Sequence, residues 1–153
     1  MRGTRGFGAA AALVLLLSGC TAAGPEDEGS QTAPAGDGLS SFASVDDAYD
    51  AVAAVLDCDP ATTAEPVTIE IDGHLPAYRM CTEAVEVIHY ENEADRSKAS
   101  DLVHGAESGP PYFAEGSNWQ VLVLPGREGQ VPGPDEITAL ARELGGRYVR
   151  MSG

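Results

Sequence analysis

Apolar residues recur along this chain with three spacings, and each predicts a different kind of element. In SVDDAYDAVAAVLDC, Val45, Ala48, Tyr49, Val52 and Leu56 fall at helical spacing, so one stripe of a first helix faces a core. Ser44 and Asp47 make a capping pattern at its start, and Asp46 and Asp47 lie where the helix dipole favours negative charge. PVTIEID switches to period two: Val67, Ile69 and Ile71 alternate with polar residues, predicting a half-buried strand closed by Asp72-Gly73. AYRMC predicts a short second strand. TEAVEVIHY predicts a third, with Val85 and Val87 on one face and Ala84, Glu86, Ile88 and Tyr90 on the other.

ENEADRSKASDLVH reads as a weaker helix, with Ala94, Lys98, Leu102, Ala99 and Val103 on a thin apolar face. NWQVLVLP is apolar on both strand faces and predicts a central strand. The loop PGREGQVPGP then leads into DEITALAREL. This last helix starts after Pro134, carries Asp135 and Glu136 in its first turn and presents Ile137, Leu140, Ala141 and Leu144; Gly145 supplies its C-cap. RYVRM adds a final edge strand, where Arg147 and Arg150 discourage unwanted pairing. The predicted order is α-β-β-β-α-β-α-β. It describes one small α+β domain over residues 44–153, about three helices packed on a mainly antiparallel sheet.

The N-terminus follows a different logic. Arg2 and Arg5 precede the uncharged, mostly apolar run Gly8 to Leu17, which has the form of a signal peptide. That run is shorter than the ~20 apolar residues a membrane-spanning helix needs. Leu17-Ser18-Gly19-Cys20 follows directly, and with this lipobox the chain resembles a bacterial lipoprotein precursor. The resemblance implies a signal peptide over residues 1–19, cleavage after Gly19 and a diacylglycerol on the Cys20 thiol. Two or more acyl chains hold a protein stably on a membrane where one holds it only marginally. The expected location is the extracytoplasmic face of the cell membrane, with the membrane itself as a partner. Residues 20–43 then form an acidic, small-residue tether. Only Leu39 and Phe42 there offer much apolar surface, too little to offset the entropy of ordering the segment.

Charge narrows the partners. Nine basic side chains stand against 24 acidic ones, a formal charge of −15, and losing Arg2 and Arg5 with a signal peptide leaves −17. Such a surface repels phosphate backbones, so nucleic acid is not an expected partner, and a basic amphipathic membrane helix is equally unsupported.

Export also changes the reading of the cysteines. With Cys20 lipidated, Cys58 and Cys81 form an even pair in an oxidising compartment, and a structural disulfide is the simplest outcome. A redox pair lacks the short C-x-x-C spacing, and a metal site needs further ligands beside both sulfurs.

No nucleophile elbow, phosphate-binding glycine loop, zinc helix or EF-hand appears, and no cofactor is expected. His74, His89 and His104 match no common zinc spacing, so a metal or hydrolytic site requires at least two of them to meet each other or an acid in a concave site. Asp57 and Asp59 flank Cys58, while Glu91, Glu93 and Asp95 crowd a helix start, where capping and solvation account for them. Trp119 opens the central strand and reads first as core; beside Tyr112 and Phe113 of SGPPYFAEG it is also a candidate interaction patch.

The whole layout is similar to small cell-envelope lipoproteins of actinobacteria. The matching features are Cys20, Cys58, Cys81, the Gly116 to Trp119 stretch and ITALARELGG. That resemblance implies an address and a disulfide-stapled α+β fold; it transfers no activity to any residue. The leading expectation is a non-enzymatic binding module with an envelope protein as partner. A small metal-dependent or hydrolytic enzyme and a small-solute-binding lipoprotein are the alternatives.

Overall fold

The computed structural model describes residues 38–62, 66–68, 70, 73–127 and 129–151. Cys20 and its lipobox, the tether as far as residue 37, and Ile69 and Ile71 of the first predicted strand lie outside the described residues. Within them the chain runs α1 (Val45–Ala53), β1 (Val67–Thr68), β2 (Ala77–Thr82), β3 (Val85–His89), α2 (Glu93–Gly105), β4 (Tyr112–Glu115), β5 (Trp119–Val123), α3 (Pro134–Glu143) and β6 (Arg147–Arg150). The strands form one sheet in the order β1-β2-β3-β5-β4-β6, and every neighbouring pair is antiparallel. This is the small α+β domain that the apolar spacing predicts, with β5 central and β6 at an edge.

Alternation along the strands sorts the side chains onto two faces. Val85, Val87, Ala114, Trp119, Val121 and Val123 point to one face, where Ala48, Tyr49 and Val52 of α1 and Ile137, Leu140 and Ala141 of α3 cover them. Ile88, Tyr90, Phe113 and Leu122 point to the other, where α2 supplies only Ala99 and Val103. The first face is densely packed by two strongly amphipathic helices; the second carries a single helix with little apolar surface.

The helix termini follow local chemistry. Ser44 Oγ accepts the Asp47 backbone N–H at 3.1 Å, as the capping pattern requires. Asn92 caps α2 by accepting the Asp95 N–H at 3.0 Å. Glu136 reaches back to the Gly133 N–H at 2.8 Å at the start of α3, and Gly145 ends it at φ +66°.

Four features depart from the sequence expectations. The strand β4 is added within SGPPYFAEG, pairing Phe113 with Leu122, Ala114 with Val121 and Glu115 with Gln120. Val67 is 50% exposed, so β1 is not half-buried at that position. On α2, Ala94 and Lys98 face solvent and Leu102 is 55% exposed, while the polar Arg96 and Ser100 turn inward.

The fourth departure is the domain boundary, which lies before Ser44. Ser40 is buried, its N–H donates to the Gly145 carbonyl at 3.0 Å, and its own carbonyl accepts the Trp119 indole N–H at 3.1 Å. Phe42 packs on the Trp119 ring with centroids 5.7 Å apart. Residues 40–42 are therefore a strap on the core rather than the end of the tether. A disulfide joins Cys58, just after α1, to Cys81 in β2.

Candidate functional site

Beneath α2, a polar cluster and an apolar cavity share the second face of the sheet. The cluster centres on Glu115 of β4, which is 1% exposed. Its carboxylate accepts from Ser100 of α2, Gln120 of β5 and Arg147 of β6, and the Arg96 guanidinium of α2 lies 3.4 Å away. Gln120 in turn accepts the Tyr90 hydroxyl at 2.6 Å. Burial alone pushes the Glu115 carboxyl up. The hydrogen bonds from Ser100, Arg147 and Gln120, with the charge of Arg96, outweigh that and hold it below the usual range. Arg96 also donates to the Ser117 carbonyl at 3.3 Å. These contacts fix the position of α2 over one part of the sheet.

Toward β2 and β3 the polar contact of the helix among the described residues is that of Asp95 with His74, and a cavity of about 230 Å³ opens between the helix and the strands. Ile88 and Leu122 of the sheet and Ala99 and Val103 of α2 line it. Tyr78, Glu86 and Tyr90 add aromatic and acidic groups, and His74 and Asp95 stand with them, His74 Nδ1 lying 2.9 Å from Asp95 Oδ1. Leu102 also lines it, and Leu75, between the lining residues His74 and Pro76, is 52% exposed.

The titratable groups feel this apolar setting. Burial pushes the Glu86 carboxyl up, opposed by the charge of Arg127. Burial raises the Tyr78 hydroxyl, and Glu86 adds to the effect. Tyr90 is raised well beyond the ordinary tyrosine range by burial first, then by Tyr78, Glu86 and Glu115, with Arg96 acting the other way.

The three histidines do not converge. His74 meets an acid in the cavity. His89 Nε2 lies 3.0 Å from the Phe42 carbonyl, on the strap, and 3.1 Å from the Asn118 side-chain amide nitrogen. His104 Nδ1 lies 2.7 Å from the Ser100 carbonyl, one helical turn back, and its ring meets the edge of Phe113. Among the described residues there is no group of three His, Cys, Asp or Glu side chains placed to hold a metal ion. The His74–Asp95 pair has the form of a base and its orienting acid, but among the described residues no Ser, Thr or Cys lines the cavity to serve as nucleophile.

Tyr112, Phe113 and Trp119 do not form a surface patch, a correction to that candidate. Phe113 and Trp119 are fully buried on opposite faces of the sheet, because alternation in β4 and β5 sends them to different cores. Tyr112 is half-buried against Tyr148 and donates its hydroxyl to the Pro132 carbonyl at 2.8 Å.

The cavity residues were missed by motif reasoning because they come from separate elements. One signal for them exists: Glu86, Ile88 and Tyr90 share a strand face that the weakly amphipathic α2 has too little apolar surface to fill. No protein-family model matches the chain, and neither the curated proteins nor the solved structures contain a match.

Proposed function

We propose that this chain is a lipid-anchored extracytoplasmic protein whose domain binds a small molecule in the cavity beneath α2. The cavity carries the binding part of this reading: it is concave, mainly apolar and furnished with a few polar groups, as small-molecule sites are. The lipobox at Leu17–Cys20 and the tether that follows support the anchoring part. With Phe113 and Trp119 in the core, the aromatic patch no longer supports an envelope-protein partner.

Binding is tested by thermal unfolding of the purified full chain with three single-ring probes: phenethylamine, 2-phenylethanol and phenylacetate. At least one raises the melting temperature of the wild type and not of Ala99→Phe, whose new ring fills the space under α2. No shift with any probe overturns the binding reading. Anchoring is tested separately: Cys20→Ser moves the protein out of the membrane fraction, and unchanged fractionation overturns that part.

A further inference from the structure

We infer that the cavity's ligand is a small organic ammonium ion, its apolar body against Ile88, Leu122 and Val103 and its charge on the Glu86 carboxylate. This deepens the binding reading above and rests on it. Size sets the first limit. An apolar cavity of about 150 Å³ holds benzene, and sites for drug-sized molecules start near ~300 Å³. At about 230 Å³ this one suits a single ring, or a short branched chain, with a tail of a few atoms.

Charge sets the second. Among the described residues the lining contains two carboxylates, Glu86 and Asp95, and no Lys or Arg. Asp95 is already engaged, by His74 at 2.9 Å, by the Asn92 side-chain amide at 2.9 Å and by Lys98 at 3.8 Å. The Glu86 side chain makes no hydrogen bond or salt bridge among the described residues, and Arg127 acts on it only through its charge. A carboxylate so placed has lost part of its hydration with only the exposed Arg127, among the described residues, acting on it as counter-charge, and a cation in the cavity restores what burial removed. An anionic ligand meets like charge there. A neutral one donates at most a hydrogen bond and leaves the charge uncompensated.

The aromatic groups act in the same direction. Tyr78 and Tyr90 both line the cavity, and the Tyr90 hydroxyl is tied to Gln120, which fixes its ring. Tyrosine faces attract a desolvated cation through the ring quadrupole. A formal charge of −15 over the chain raises the local concentration of cations as well. Among the described residues Arg127 is the opposing charge that acts on Glu86; it is exposed, so solvent and salt screen it.

Isothermal titration of the full chain with phenethylamine, 2-phenylethanol and phenylacetate at pH 7 separates the readings. The amine binds at least about tenfold more tightly than the alcohol, the scale set by a hydrogen bond to a charged group, and the acid binds least. Glu86→Gln removes that preference, and an unchanged far-ultraviolet circular dichroism spectrum shows that the variant is folded. Equal affinity for amine and alcohol in the wild type, or an amine preference that survives Glu86→Gln, overturns the ammonium assignment while the cavity stays a binding site. Failure of all three probes overturns both.

Discussion

Replacing Glu115 by glutamine keeps the size of the side chain and removes its charge, which isolates the electrostatic contribution of the buried cluster. Arg96 has a side chain only 5% exposed and depends on Glu115 as its buried counter-charge, since its other carboxylate, Glu93, is 67% exposed. Breaking a buried pair from one side typically costs about 3–5 kcal/mol, because a charge is left uncompensated. Arg96 keeps its hydrogen bond to the Ser117 carbonyl, which places the expected loss near ~3 kcal/mol. With a urea dependence of about 1.5 kcal/mol per molar, the unfolding midpoint falls by about 2 M. The pH dependence carries a second signature. The folded-state carboxyl is held below its ordinary range, so its stabilisation is fully present above the unfolded value and is lost as pH falls through the lowered one. Wild-type stability therefore declines on acidification more steeply than that of Glu115→Gln. Urea unfolding at pH 7 and at successively lower pH reads both effects. A variant within about 1 kcal/mol of the wild type at pH 7, with an unchanged acid profile, refutes the electrostatic reasoning.

Three further outcomes follow from the packing. A Cβ on Gly116 would lie 2.0 Å from Trp119 Nε1, so Gly116→Ala costs about 3 kcal/mol in chemical unfolding, the upper end for an overpacked core. A chain begun at Ser44 removes the Ser40 carbonyl from the Trp119 N–H and Phe42 from its ring. It loses about 2–4 kcal/mol relative to a chain begun at Gly38. Reducing the Cys58–Cys81 bond frees two alkylatable thiols, counted by mass, and lowers stability by about 3 kcal/mol through the loop it closes.

The elements that the sequence announces are those whose apolar residues repeat strongly. α1 buries Val45, Ala48, Tyr49 and Val52 of the predicted stripe but ends at Ala53, leaving Leu56 beyond it and partly buried. α3 buries Ile137, Leu140 and Ala141, and β5 is buried along its length because both faces of its sequence are apolar. β4 escapes the pattern because Glu115 is charged and yet buried, so YFAE does not alternate apolar with exposed polar. The same inversion misorients α2: Arg96 and Ser100 are inward because Glu115 and Gln120 await them across the gap, a partnership between residues 15 to 20 positions apart. Ser40 looks like tether for a similar reason, since its value lies in backbone and hydroxyl contacts with Trp119, 79 positions away. The cavity is the least legible feature. It arises where α2 fails to cover Tyr78, Glu86 and Leu122, and no local motif encodes a gap between elements.

The central claim is that this gap is where the domain binds its ligand. Methyl-resolved NMR of the full chain, titrated with phenethylamine, places the ligand residue by residue. The account predicts shifts concentrated at Ile88, Leu102, Val103 and Leu122 and absent in Ala99→Phe. Shifts spread over the acidic surface instead, or a spectrum that does not change, would contradict it.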